Sequence, residues 1–284
     1  MNNIRLSKDY IRSMIDEYMT KKNRLISCLE NDYVYKNIAG TEFMLPIVSV
    51  DGMADHVREE DIIKGDVSIV WETMRYAYER SRKYVIDEID VKEALGDNTI
   101  KFIMDEIHIV SNQEIDAYTL SSLANQAGDE TEATITSAAE LRSAIANALE
   151  VMDNGFVPQN GRILFISSAL AYKYIENAKD YLYSGFEQII IVPEDLFYND
   201  ITLWDGTTEG ETAGGWVPGS DSKKINFLVV QKDSVVIGFK TYEHVIEPAN
   251  NGDQLYIISH RVYGLIQHWR EKASGIYAHI KPNG

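Results

Sequence analysis

Six histidines, at positions 56, 108, 244, 260, 268 and 279, a single cysteine and a large set of carboxylates are the side chains with which this chain could do chemistry. No two histidines stand at the His-Glu-x-x-His spacing that would turn a pair toward one metal ion from a helix. Cys28 has no histidine near it in sequence. A nucleophilic thiol needs a base and oxyanion donors, so Cys28 reads as a small apolar residue. Asp87 and Asp90 lie close enough to share acid–base work, but nothing beyond proximity marks them, and they read as a polar corner after a strand. The acidic stretch 200–211 contains Asp205-Gly206 without oxygen ligands at the alternating positions a calcium loop requires. No Gly-x-x-x-x-Gly-Lys loop, Gly-x-Gly-x-x-Gly turn or Gly-x-Ser-x-Gly elbow occurs. The step Ile166-Ser167-Ser168 lacks the glycines that let a backbone approach a pyrophosphate. The expectation is a chain with no catalytic, cofactor-binding or metal-ligating residues.

The bulk numbers fit that expectation. The chain has 284 residues, 45% hydrophobic and 25% charged, with a formal net charge of −17. It is large enough for one sizeable domain or two modest ones. An acidic balance disfavours a protein that grips nucleic acid, which carries a basic face. One cysteine excludes an intrachain disulfide, and no apolar run is long enough to span a bilayer.

Ile11, Met14, Ile15, Tyr18, Leu25, Ile26 and Leu29 follow helical spacing, which predicts an amphipathic helix over 11–29. From Thr41 to Asp87 the pattern is extended, with Asp51-Gly52 read as a turn. Val67, Ile69 and Trp71 share one face, and Tyr76, Tyr78, Arg80, Arg82, Tyr84 and Ile86 share another. An aromatic and arginine face suits a surface that meets another protein, although a solvated strand would show the same alternation. A helix is expected from Asn98 toward Ala127, bent near Ser111-Asn112, and a boundary at the acidic break 128–132. Ser137 to Glu140 is a capping-box pattern, opening a helix with a Leu141, Ile145, Leu149, Met152 stripe that closes at Asn154-Gly155. Strands are expected at 162–167 and 188–193 around a helix at 168–179. A loop is expected at 204–222, a hairpin at 226–231 and 234–240, and a final strand pair at 254–270 and 275–281.

Several segments resemble blocks found in major capsid proteins of tailed phages of Gram-positive bacteria, the Hong Kong 97 type. Gly65-Asp66-Val67 leads to Trp71-Glu72-Thr73. Tyr78-Glu79-Arg80-Ser81-Arg82 is similar to a Tyr-Asp-Arg-Gly-Arg block, Asp87 to Glu93 to Asp-x-x-Asp-x-x-Glu, and Gln113 to Tyr118 to Pro-Glu-Ile-Asp-Ala-Tyr. Gly155-Phe156-Val157-Pro158, Gly161 to Ile166, Ile225-Asn226-Phe227, Lys240 and Gly275-Ile276-Tyr277 with His279 follow in the same order. Gln113, Glu79 and Ser81 depart from the usual proline, aspartate and glycine.

The resemblance implies an α+β fold with an N-arm (1–40), an extended hairpin loop (41–88), a peripheral domain with a long spine helix (89–129), an axial domain (130–245) and return strands of the peripheral domain (246–284). It implies a subunit that self-assembles as hexamers and pentamers into an icosahedral phage head. The site would be the assembly face carrying Tyr76, Tyr78, Arg80, Arg82 and Tyr84. Implied partners are other copies of the chain, scaffolding, portal and decoration proteins, and packaged DNA held without specific binding by a net-negative inner face. No membrane is implied, and the expected location is the virion, assembled in the host cytoplasm. With no long leader before the first element, no fused, cleaved scaffold domain is expected. Two other readings stay open: an encapsulin-like nanocompartment shell, and an α/β enzyme built on 162–193.

Overall fold

The computed structural model describes residues 24–30, 42–56, 58, 62–87, 90, 97–174, 185–248 and 255–283. Most of the helix expected over 11–29 lies outside them, as do Asn251-Gly252 and residues 175–179. Within the described part, Leu25–Cys28 is a single 3-10 turn.

Strands β1 (Glu42–Val50) and β2 (Val67–Arg75) form a two-stranded antiparallel ribbon. Strand β3 (Tyr78–Asp87) leaves that ribbon and joins another sheet. Helix α1 (Asp97–Asn125) then runs unbroken through Ser111-Asn112. The bend expected there is absent because both side chains reach outward to the neighbouring sheet, bonding His260 and Tyr242. The first half of α1 is amphipathic, burying Ile100, Met104 and Ile107. The second half is buried nearly all round, with Ile115, Ala117, Leu120 and Leu123 at 0% exposure.

After β4 (Asp129–Glu132), helix α2 (Ala138–Asn154) opens on its expected cap, with Ser137 Oγ accepting from Glu140 N at 3.2 Å. The Glu140 carboxylate reaches one residue further back than a capping box would, accepting from Thr136 N and Oγ1. Leu141, Ile145 and Met152 form the buried stripe, joined by Ala148. Strand β5 (Arg162–Ser167), the short helix α3 (Ser168–Tyr174) and β6 (Gln188–Val192) follow, then the small hairpin β7 (Ile201–Leu203) and β8 (Trp216–Pro218). The chain ends with β9 (Ile225–Gln231), β10 (Val235–Pro248), β11 (Leu255–His268) and β12 (Ile276–Ile280).

Two larger sheets organise these strands. One is five-stranded, ordered β4-β12-β9-β5-β6; the other is three-stranded, ordered β10-β11-β3. The five-stranded sheet carries α2 and α3 on one face, around Leu164, Ile166, Phe227 and Val229. Its other face meets the second half of α1 in a core that continues into the three-stranded sheet through Ile237, Val262 and Ile266.

The strand pairs expected at the end of the chain do not form. Strands β9 and β10 belong to different sheets, and so do β11 and β12. A tight hairpin turn needs positive φ at its central residues, the province of Asn-Gly and Asp-Gly. Lys232-Asp233-Ser234 has no such residue and makes a 3-10 turn, held by Gln231 Oε1 accepting from Asp233 N at 2.7 Å. The chain therefore crosses from one sheet to the other. All of β10 lies in the three-stranded sheet and β12 in the five-stranded one, so the inter-sheet steps fall at 232–234 and 270–275. Strand β9, buried along its whole length, takes partners on both sides.

The crossings pack on one another. Trp269 N donates to Ser234 O at 2.8 Å, and Gly128 N donates to Ala273 O at 3.0 Å. A Cβ on Gly128 would lie 2.6 Å from the Ala273 carbonyl carbon, a backbone atom that cannot step aside. Gly128→Ala is expected to destabilise the subunit by about 2 kcal/mol through overpacking. Thermal unfolding measures this, and an unchanged midpoint would mean that the crossings are not in contact.

Candidate assembly surface

The β1–β2 ribbon sorts its side chains onto two faces because pairing residues share a side. The register Met44↔Thr73, Pro46↔Trp71, Val48↔Ile69 and Val50↔Val67 places an apolar row along one face. Its members are open to solvent: Val67 65%, Trp71 59%, Ile69 57%, Val48 53% and Met44 52% exposed. The other face mixes Ser49, Ser68, Ile47, Val70 and Glu72. Asp51-Gly52 does not close a tight turn. It begins a long connection whose ends are tied by Asp51 N donating to Asp66 O and Asp66 N donating to Asp51 Oδ2. Met53, Ile62 and Ile63 are exposed on that connection.

A two-stranded ribbon alone in water is marginally stable, so its root must hold it. Leu45 and Met74 are buried there against Val236, with Tyr76 and Trp269 packed around them. The Arg75–Glu42 pair at 3.0 Å closes the base.

The aromatic and arginine face of β3 has a different fate. Strand β3 pairs with β11 along its whole length, from Asp87↔Leu255 to Tyr78↔Gly264, and is not the far arm of a free hairpin. Its aromatic and arginine face is turned to α1 of the same subunit. Tyr78 is 2% exposed. Its hydroxyl donates to Glu114 Oε1 at 2.9 Å, and its ring lies 4.9 Å from Tyr118. Burial, followed by the field of Glu114, pushes the Tyr78 phenol well above its usual range.

Arg80 Nε donates to the same Glu114 oxygen at 2.8 Å, and its Nη2 to Gly215 O at 3.2 Å. Arg82 Nη2 donates to Thr212 O at 3.0 Å. Gly206 and Gly214, both at positive φ, come so close that a Cβ on either would sit near 3 Å from Arg82 Nη1, at 3.1 and 2.9 Å. The two arginines thus hold the loop between β7 and β8 against the sheet. Tyr84 packs half-buried beside Ile100, Met104 and Ile258. Tyr76 stands at the step from β2 to β3, its ring 4.9 Å from Tyr263.

The alternation suggested a face that meets another protein or solvent, since two arginines do not suit a sealed core. Glu114, 8% exposed on a helix more than thirty residues away, removes that difficulty. The signal that could have found it is the pair of acids at 114 and 116 in an otherwise apolar half-helix.

Asp116 is the second of those acids. Its carboxylate accepts from Leu25 N at 3.1 Å and Ile26 N at 3.3 Å, fastening the 3-10 turn whose Ile26 and Leu29 enter the core. Arg24 pairs with Glu30 at 2.6 Å and lies over the Phe239 ring, 4.4 Å from its centroid. This part of the N-terminal segment docks on its own subunit.

Among the described residues, no group of three or more His, Cys, Asp or Glu is arranged to hold a metal ion. Cys28 is half-buried, and burial pushes its thiol up to about 11, away from nucleophilic use.

The fold is similar to the capsid structure of cyanophage P-SCSP1u, with a TM-score of 0.61 at 13% identity over 87% of this chain and 85% of that one. It is similar to the structure from Mycobacterium phage Che8, with a TM-score of 0.59 at 12% identity over 90% of each chain. The head structure of Helicobacter pylori bacteriophage KHP40 gives 0.59 at 11% identity, over 91% and 90% of the two chains. No protein-family model and no curated protein matches the sequence. The likeness establishes an α+β chain with the Hong Kong 97-type capsid fold.

Two outcomes follow from the buried acids. Arg80→Glu would set a second carboxylate against Glu114, and the unassembled subunit is expected to lose about 3 kcal/mol in denaturant unfolding; unchanged stability would show that Arg80 is not needed inside the subunit. Burial raises Asp116 from 3.8 to about 6, above its unfolded value. The folded state therefore binds the proton more tightly. This stabilising contribution is full below the unfolded value and is lost as pH rises through about 6. Asp116→Asn removes the titration while keeping an acceptor for Leu25 and Ile26. The stability difference between variant and parent is expected to change by about 2–3 kcal/mol across that window, and a flat difference would show that Asp116 is not shifted.

Proposed function

We propose that this chain is the major capsid protein of a tailed bacteriophage, a structural subunit that self-assembles as hexamers and pentamers into an icosahedral head enclosing packaged double-stranded DNA. The observation that carries this reading is the one-sided apolar face of the β1–β2 ribbon, projecting from a subunit with the fold of solved phage capsids and heads.

Rows of exposed valine, isoleucine and tryptophan on an unpaired ribbon would invite aggregation in a protein that works alone. In a closed shell the same row is covered by the next copy. Fully burying each such side chain contributes about 1.5–3 kcal/mol. Since the row is a little over half exposed, its gross contribution per subunit contact is on the order of 5–10 kcal/mol before association entropy. Symmetry repeats that contact around each ring, so a modest pairwise term suffices to close a shell.

On this reading Tyr78, Arg80 and Arg82 act on assembly indirectly. They fix β3 and the β7–β8 loop, and β3 sets the angle at which the ribbon leaves the subunit. Tyr76, beside the ribbon root, couples the two. The chain's acidic charge suits a container that holds DNA without gripping it. Scaffolding, portal and decoration proteins are the further partners such a subunit would meet.

Electron microscopy of the purified protein tests the reading, with shells or rings expected. Ile69→Glu with Trp71→Glu changes exposed residues, so circular dichroism and melting should match the parent while assembly is lost. A parent protein that stays monomeric at every concentration and salt, or a double variant that assembles normally, would overturn the proposal.

A further inference from the structure

The contact between α1 and the three-stranded sheet is apolar at both ends and polar in its middle. At one end Ile100, Met104 and Ile107 meet Ile258. At the other, Ile115 and Leu120 meet Ile237 and Val262. Between them lie three imidazoles: His108 of α1, His244 of β10 and His260 of β11. His244 and His260 are direct cross-strand partners. Their rings stack 4.1 Å apart at an interplanar angle of 4°. The His108 ring lies 4.2 Å from His244 and 6.5 Å from His260.

The stack is buried, with His244 6% and His260 7% exposed. His260 is fully engaged as a neutral ring. A carbonyl can only accept, so its Nδ1 carries the proton toward Glu243 O at 3.3 Å, and its Nε2 accepts from Ser111 Oγ at 2.8 Å. Both nitrogens of His244 are buried without a hydrogen-bond partner among the described residues.

The surroundings offer little to a charged imidazole. From α1, Asp105 favours charge on His108, though burial outweighs it and lowers that group. From β10 comes Tyr242, its ring 5.6 Å from His244, and behind it Arg24, 5.0 Å from the Tyr242 centroid. From β3, the cross-strand partner of His260 is Arg82, a permanent cation on the same face. Glu30 and Asp116 bear on Tyr242. Among the described residues no carboxylate contacts the His244 or His260 ring. Burial, then the neighbouring imidazoles, lowers His244 to about 3; burial lowers His260 to about 4.

A metal ion does not explain the group. Imidazole lone pairs lie in the ring plane, and two rings stacked nearly parallel cannot aim them at one point. The groups do fit a contact that is sound when neutral and unsound when protonated.

We propose that His108, His244 and His260 form a proton-operated latch that seats the N-terminal half of α1 on the β10–β11 ribbon and releases it in acid. Two imidazolium ions stacked 4.1 Å apart, with no carboxylate on the His244–His260 pair among the described residues, repel strongly in a buried site. The C-terminal half of α1 stays in place, held by its all-round apolar burial and by Glu114 with Arg80 and Tyr78. The linkage sign is that of a depressed base. The folded state binds the proton less tightly than the unfolded chain, so the stabilisation is present above the ordinary histidine value and lost as pH falls toward about 4.

Hydrogen exchange of the full chain, corrected for intrinsic rates and compared near neutral pH and near about pH 4, tests the latch. The parent is expected to lose protection about tenfold over residues 98–112 on acidification while α2 keeps its own. His244→Phe fills the same space without a proton site and should hold 98–112 equally protected at both values. Should that variant fail to fold, His108→Phe removes the helix's member of the stack and carries the same expectation. Loss of protection in 98–112 and α2 together, or equal acid loss in a folded variant and the parent, would overturn the proposal.

Discussion

The second half of α1 has to be covered on every side. Ile115, Leu120 and Leu123 have no exposed surface, and they lie where the five-stranded and three-stranded sheets come together. Because these side chains pack on strands of both sheets, the helix ties two sheets that form separate hydrogen-bonded ladders. The steps of the chain between those sheets, at 126–128, 232–234 and 270–275, are drawn together by the same requirement. They approach so closely that Gly128 and Gly275 leave no room for a Cβ.

A helix buried on all sides carries polar groups without partners only at a cost, since each would lose its water for nothing. Three polar groups of α1 are each matched to one element, although Thr119 Oγ1 is buried on the same helix without a hydrogen-bond partner among the described residues. Glu114 takes Tyr78 and Arg80 of β3, Asp116 takes the backbone of the N-terminal turn, and Ser111 takes His260 of β11. Arg80 continues to Gly215, and Arg82 to Thr212, so the β7–β8 loop depends on the same strand. Local changes near α1 therefore reach the strand from which the ribbon departs. The ribbon is the contrast to all this satisfaction. Past Leu45 and Met74 none of the described residues covers it, and its apolar row stays open.

Much of the local structure was legible in the residues. The Val67, Ile69, Trp71 alternation, the long helix after Asn98, the Ser137 cap and the 162–167 strand all stand where their patterns place them. Each depends on neighbours a few positions apart, which periodicity reports directly. The ordered resemblance to capsid proteins matched the fold that the structure displays. Within the subunit Tyr78 and Arg80 turn to Glu114 of α1, a contact the pattern could not show, because alternation says which residues share a face and not what lies opposite. The same blindness turned two consecutive strand pairs into hairpins that do not form.

The sequence by itself determined a mixed helix-and-strand chain, acidic and without a recognisable catalytic or nucleotide-binding motif, and an extended segment in which Val67, Ile69 and Trp71 share a face; the α+β capsid fold came from the resemblance. The tertiary structure alone decided that Glu114 neutralises Arg80, that the chain crosses between sheets at Lys232 to Ser234, and that His108, His244 and His260 meet. The physical reason is range. Propensity, capping and alternation are set by residues within a turn or a strand of one another. Strand partners, buried ion pairs and ring stacks are set by how whole elements pack, and they join positions on separate elements, Arg80 with Glu114 and His108 with His244.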